Sequence, residues 1–189
     1  MVARLGILAL LLTVSELRVS VASAYARKDF DMDSDLVIRG VALVGVLGTA
    51  VVYGTDVFCA IALRPALALV DDRALVAVMG SLHRYGDRRM PVPGVLGIVA
   101  TATTAVLAAV GAHWAQAITA SAALVMLLIW LGLYTRISAP INRQLTAASD
   151  AGQALPNGRV LQAQWDRIIN VRAMLQGLAV AALCVAMVI

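Results

Sequence analysis

Charged residues are scarce in this chain, and so are aromatic residues. Only 14% of its 189 residues are Asp, Glu, Lys or Arg, and 5% are Phe, Trp or Tyr, whereas 61% are hydrophobic. With a mean hydropathy of +0.88, the chain is more apolar than one soluble core of this length can enclose. The composition therefore excludes an ordinary soluble domain and predicts a membrane protein.

Cysteine and histidine are also rare, with two residues of each. Cys59 and Cys184 lie in separate apolar runs, form no CxxC pair and have no metal-type spacing with His83 or His113. We therefore expect no disulfide framework and no metal site. The net charge of +4 does not indicate a nucleic-acid partner, because the arginines stand beside apolar runs, where such residues set topology. The expected partners are membrane lipids.

Four segments are long and apolar enough to cross a bilayer, which takes about 20 residues per helix. They cover residues 36–63, 92–112, 114–134 and 168–189. The sequence GAHW, which ends at Trp114, is the junction between the second and the third segment. These two segments should therefore form a tight helical hairpin with its tip at the membrane surface. The sequence thus predicts an all-α fold, an antiparallel four-helix bundle that forms one transmembrane domain over residues 36–189.

The first 35 residues are a separate region with two interpretations. An apolar run follows Arg4, breaks at Glu16 and Arg18, and leads through small residues to an acidic linker over residues 29–35. This layout suits a signal peptide or signal anchor. The alternative is an additional helix that stays attached, which we favour slightly because the sequences Ala-Ser-Ala and Ala-Tyr-Ala are weak cleavage signals.

The distribution of arginine predicts the orientation of the chain in the plasma membrane. Five arginines lie in the connection 64–91 and four lie in the connection 135–167. Both connections are therefore expected on the cytoplasmic side, which leaves the C-terminus outside the cytoplasm. Between Pro65 and Met90, the pattern predicts an amphipathic helix or helix pair along the cytoplasmic interface.

Asp56 is the main polar residue inside an apolar segment, where a charge costs about 2.5–3.5 kcal/mol on insertion scales. Helical spacing places Asp56 on one narrow face with Gly45, Thr49 and Val52. Small residues on such a face let another helix approach closely. Asp56 is therefore expected to point into the bundle.

The fourth segment offers a partner for Asp56. Arg172 lies at a similar depth and shares a helical face with Trp165 and Gln176. We expect Asp56 and Arg172 to form a buried ion pair that is extended by Gln176 or Asn170. Such a pair has either a functional role or only the structural role of fixing helix register.

His83 lies in the stretch SLHRYGDRRMPVPG, whose arginines are explained as topological anchors. Arginines on both sides should lower its proton affinity and make it a neutral base. The alternative is a histidine that faces solvent or lipid. Asn142 belongs to the same end of the bundle, where Pro140 is expected to stop the third helix, and its alternative role is that of a turn residue. Trp130 and Tyr134 are expected to be packing and interface anchors.

Four short motifs follow one another in this chain: GVLGTAVVYGTDVFCAIALRP, SLHRYGDRRMP, a proline-x-asparagine at Pro140 and Asn142, and WDRIINVR, which ends at Arg172. In this order the chain resembles the anthrone-oxygenase-like family of small integral membrane proteins over residues 36–189. The resemblance implies oxidation of an activated methylene in a polyketide anthrone to a quinone by molecular oxygen, without a metal or flavin.

That chemistry needs a base that removes a proton next to a carbonyl, and groups that stabilise the resulting enolate. We expect His83 to be the base, Arg172 and Asn142 to be the oxyanion partners, and Asp56 to orient Arg172. The substrate would be a lipophilic small molecule that enters from the bilayer into a pocket at the cytoplasmic end.

A second hypothesis is a non-catalytic membrane protein. It would be a structural, ligand-binding or accessory subunit of a larger complex, with another protein or a second copy of the chain as its partner. In that protein the same polar residues would only fasten the bundle. A transporter or channel is a weaker third hypothesis, because the four spans carry a single acidic residue within the membrane.

Overall fold

The computed structural model describes residues 34–153 and 155–189. The expected signal anchor or additional N-terminal helix lies outside these residues. Five helices account for nearly all of the described chain, which contains no strand: α1 (Ser34–Leu67), α2 (Asp72–Arg89), α3 (Pro91–Val110), α4 (Trp114–Asp150) and α5 (Gly158–Val188). Residues 39–189 form one compact unit.

Four of these helices, α1, α3, α4 and α5, are long and apolar enough to cross a membrane. The predicted hairpin is also present, since α3 ends at Val110, α4 begins at Trp114, and the two helices pack against each other. Ala112 turns the chain with a φ of 58°. The N–H of His113 donates to the carbonyl of Ala108, which closes the turn.

Two helices run far beyond the apolar segments that predicted them. The last part of α4, Ala139–Asp150, and the first turns of α5 carry polar as well as apolar residues. Their apolar faces pack with α2 around one group of buried side chains, the end cluster. It contains Cys59, Leu67, Leu75, Val76, Met79, Ile141, Leu145, Ala148, Leu161, Trp165 and Ile169.

The prediction that Pro140 stops the third helix is wrong. A π-helical segment, Tyr134–Ser138, precedes Pro140, which then lies in the first turn of the resumed α-helix. A proline is tolerated at that position because its missing N–H is not needed there. Helix α1 has the same arrangement, because the π-helical segment Cys59–Leu63 comes just before Pro65.

The α2 helix occupies the connection in which an amphipathic helix was predicted. Asp71 caps its first turn, with a side-chain oxygen that accepts from the backbone N–H of Ala74 at 2.7 Å. The buried face of α2 includes Met79, Gly80 and His83, and the helix packs mainly on the last part of α4. His83 therefore points into the protein and not toward solvent or lipid.

Helices α1 and α3 approach each other at Gly48 and Gly97. A Cβ atom built on Gly48 would lie only 2.8 Å from the backbone nitrogen of Gly97 and the carbonyl oxygen of Pro93. Gly45, one turn earlier, faces Thr101. The small face that the sequence predicted on α1 therefore makes a close helix crossing, which brings Asp56 on the same face into the interior.

Gly48→Ala is expected to lower the melting temperature of the protein in nanodiscs. The added methyl group meets backbone atoms of α3, and overpacking of this kind costs about 1–3 kcal/mol, which exceeds the gain of about 1 kcal/mol from replacing a helical glycine. Gly54→Ala is the matched control on α1, because an added Cβ there meets nothing within 4 Å in the described part of the chain. Tryptophan fluorescence follows the thermal unfolding of both variants. Equal melting temperatures for Gly48→Ala and Gly54→Ala would refute the close crossing of α1 and α3.

Candidate functional site

A buried ion pair joins α1 to α5. Nη2 of Arg172 donates to Oδ1 of Asp56 at 2.8 Å, and the two side chains are each 5% exposed. The amide nitrogen of Gln176 donates to the other carboxylate oxygen of Asp56 at 2.6 Å. Asn170, the other residue expected to extend the pair, is exposed on α5. The spacing on α5 explains this, because Gln176 is one turn from Arg172 and Asn170 is not.

Arg172 also binds α4 and lies between two aromatic rings. Its Nη1 donates to the hydroxyl of Ser138 at 2.8 Å. Its guanidinium carbon is 5.5 Å from the ring centre of Tyr134 and 5.7 Å from that of Trp165, within the range of cation–π attraction. The Nε atom of Arg172 is buried and has no hydrogen-bond partner among the described residues.

Asp87 forms a second polar group that links α2 to α4. One of its carboxylate oxygens accepts from the hydroxyl of Tyr134 at 2.8 Å and from the amide nitrogen of Asn142 at 2.9 Å. Asn142 is therefore a cross-helix donor and not a turn residue, and its amide oxygen is buried without a partner in the described chain.

Sequence reasoning missed Asp87, Tyr134 and Ser138 as members of this site. Asp87 could have been found, because it lies four residues after His83 and so shares its helical face. Tyr134 was expected only to pack, and its ring does stack on Trp130 with centroids 6.2 Å apart. The π-helical segment that presents Tyr134 and Ser138 has no signal that periodicity could detect.

His83 is buried, with 5% of its surface exposed. Its ring lies 5.7 Å from that of Trp165, and its Nε2 atom has no hydrogen-bond partner in the described chain. Burial lowers the pKa of His83 to about 4; nearby Asp87 opposes this shift and Arg172 adds to it. The histidine is therefore neutral at physiological pH.

The sequence predicted that the arginines on both sides of His83 lower its proton affinity. The main cause is burial instead, and the contributing arginine is Arg172 on α5. Arg84, the next residue in sequence, forms an ion pair with Asp150 at the end of α4. Neighbours in sequence point away from each other on a helix, which explains the difference.

These residues line one cavity of about 190 Å³. All four predicted site residues, Asp56, His83, Asn142 and Arg172, contribute to its wall, together with Asp87 and Tyr134. The remaining wall is almost entirely hydrocarbon, and the cavity is partly open on one side. The arrangement can hold an apolar molecule beside a neutral imidazole, a guanidinium and a primary amide.

Comparisons with protein-family models, with curated proteins and with solved structures found no match to this chain.

Asp56→Ala and Arg172→Ala are each expected to destabilise the protein by about 3–5 kcal/mol, because each leaves a buried charge without its partner. The double variant should lose less than the sum of the two single losses, since neither charge then remains. Asp72→Ala is the matched control: it breaks the exposed pair with Arg159, which should contribute at most about 1 kcal/mol. Thermal unfolding measures all four variants. Additive losses would contradict a direct interaction between Asp56 and Arg172.

The imidazole of His83 is expected to stay neutral from pH 8 to about pH 5, since its pKa is about 4. Protein labelled with ¹³C,¹⁵N-histidine gives only two histidine signals, and His113→Asn assigns the one that belongs to His83. A midpoint near 6.5, the ordinary value, would contradict the burial of His83.

Proposed function

We propose that this membrane protein binds a lipophilic small molecule in the cavity and that His83 removes a proton from it. One observation carries the proposal: His83 is buried and neutral, its Nε2 atom has no hydrogen-bond partner in the described chain, and it shares the cavity wall with Arg172 and Asn142. A fold seldom keeps a buried nitrogen without a partner, because this costs about 1–3 kcal/mol, and a bound ligand would supply the partner.

The proposed setting is an antiparallel four-helix bundle in the plasma membrane. The connections 64–91 and 135–167 would face the cytoplasm, with α2 along the membrane interface and the C-terminus on the other side. The arginines of these connections support this orientation. The site then lies at the cytoplasmic end of the bundle, where a ligand dissolved in the bilayer can reach it.

The proposed reaction is that of the resembled anthrone-oxygenase-like family. His83 takes a proton from an activated methylene beside a ring carbonyl, and Arg172 and Asn142 stabilise the enolate oxygen. The enolate carbon adds to molecular oxygen, and the proton returns to give a hydroperoxide. Loss of water then leaves a new carbonyl, so that one methylene and one O₂ yield one carbonyl and one water.

The residues around His83 have different roles in this proposed reaction. Burial makes His83 a weak base in the free protein, but the negative charge that develops on the substrate favours the imidazolium, as Asp87 already does. Asp56 is a positioning residue, because it holds Arg172 from the side opposite to Ser138. The proposed reaction would thus use only these side chains to stabilise its transition state and would need no metal or flavin.

The second candidate function is a non-catalytic subunit in which the polar residues only fasten the helices. The hydrogen bonds from Arg172 and Gln176 to both carboxylate oxygens of Asp56 favour it. A fastener needs Asp56 and Arg172 but not His83.

Oxygen uptake with anthrone as the substrate separates the two functions. His83→Gln should reduce the catalysed rate at least about 100-fold, the usual contribution of a general base, while the melting temperature stays within a few degrees. His113→Gln, at the hairpin tip, is the matched control and should keep the wild-type rate. Turnover by His83→Gln at the wild-type rate would remove His83 from the mechanism, and the absence of catalysed oxygen uptake by the wild-type protein would favour the fastening role.

A further inference from the structure

The size of the cavity limits what it can hold. At about 190 Å³ it is close to the roughly 150 Å³ of an engineered apolar cavity that binds benzene, and smaller than the roughly 300–1,000 Å³ of pockets for drug-sized ligands. A cavity of this volume fits one six-membered ring with its substituents. Three fused rings, as in an anthrone, exceed it.

The open side of the cavity is apolar. Leu82, Val95 and Leu131 belong to its wall, and they are 38%, 58% and 36% exposed. Val95 and Leu131 lie on helices long and apolar enough to cross a membrane. In a bilayer this side meets hydrocarbon, so a ligand can extend an alkyl chain outward without entering water.

The other end of the cavity is formed by side chains with unused hydrogen-bonding atoms. Oδ1 of Asn142 is an acceptor, Nε2 of His83 is one in the tautomer that a base requires, and Nε of Arg172 is a donor; all three are buried without partners in the described chain. A single hydroxyl group can pair with both kinds of atom, since it donates one hydrogen bond, to Nε2 or Oδ1, and can accept one from Nε. The three atoms have almost no accessible surface, so contact requires a small rotation of the side chains.

A charged head group suits the site poorly. Asp56 already neutralises Arg172 at 2.8 Å, so an anion gains little there and would lie near Asp87. A cation would be attracted by Asp87, but it would meet the guanidinium of Arg172, and Asp87 already accepts hydrogen bonds from Tyr134 and Asn142. The head group is therefore an uncharged one.

We infer that the natural ligand is a single-ring phenol with a hydrocarbon tail, whose ring lies in the cavity and whose tail lies along the open side in the bilayer. This inference rests on the proton removal by His83 in the proposed function, and it replaces the tricyclic anthrone of that proposal with a substrate that has one ring. A phenol is the enol form of a ring ketone with an activated methylene, so His83 would take the proton from its hydroxyl oxygen instead of from carbon, and the phenolate carbon would then add to oxygen as the enolate carbon does. The tricyclic anthrone would fit only in part.

Quenching of tryptophan fluorescence in nanodiscs tests the ligand. Trp130 and Trp165 belong to the cavity wall, and Trp114→Phe removes the remaining tryptophan at the hairpin. The probes are 3-octylphenol, octylbenzene and anthrone, each corrected with protein-free nanodiscs. We expect 3-octylphenol to bind saturably and at least about tenfold more tightly than octylbenzene, because a site with unpaired polar groups rejects an analogue without the hydroxyl.

Two pairs of variants locate the ring and the tail. Asn142→Leu and His83→Phe should each bring the affinity for 3-octylphenol close to that for octylbenzene, and agreement between them guards against one variant failing to fold. Val95→Phe narrows the opening and should weaken binding several-fold. Val99→Phe, one turn further along α3 and 55% exposed, is outside the cavity wall and should change nothing.

The outcomes separate this inference from the proposed function. Anthrone binding as tightly as 3-octylphenol would overturn the single-ring inference while leaving proton removal by His83 intact. Saturable binding of 3-octylphenol without oxygen uptake would support the ligand and overturn the proposed reaction. Saturable binding of none of the probes would overturn both.

Discussion

A carboxylate and a guanidinium buried together among hydrocarbon side chains are the constraint on which the rest of this structure depends. Asp56 and Arg172 lie 116 residues apart in the chain, and each is tolerable inside the bundle only because the other is there. Ser138 adds a third helix to the contact. The pair thus determines how α1, α4 and α5 are rotated about their axes, and this rotation places the remaining polar groups around one cavity.

The cavity combines two kinds of element. The apolar helices supply most of its hydrocarbon wall, whereas α2 supplies His83 and Asp87. The end cluster attaches α2 to α4 and α5, and Asp87 adds hydrogen bonds to Tyr134 and Asn142. A histidine on a short amphipathic helix is thereby held in an apolar interior, where its pKa falls to about 4. The low pKa of His83 therefore depends on the contacts that hold α2 against α4 and α5.

Much of this arrangement follows from sequence patterns with a simple period. The four apolar segments predicted the four candidate spans, and a step of 100° per residue placed Asp56 on the small face of α1 and Arg172 near Gln176. The prediction that Pro140 ends a helix was wrong, and Tyr134 and Ser138 were missed as site residues, because a π-helical segment precedes the proline and interrupts the period there. The cause of the low pKa of His83 was also missed, since burial depends on which distant helices cover a residue.

The π-helical segment Tyr134–Ser138 has a consequence for how this chain can change in evolution. A single π turn holds one residue more than the α turn it replaces, and each residue of an α-helix advances the rotation by about 100°. Loss of one residue in this segment would convert the π turn into an α turn, which would leave the direction of Asn142 nearly unchanged but would move the side chains inside the segment, Tyr134 and Ser138. A related chain could therefore lose one residue between Trp130 and Asn142 and still present Asn142 on the same face of α4, whereas the contacts of Tyr134 and Ser138 with the site would change.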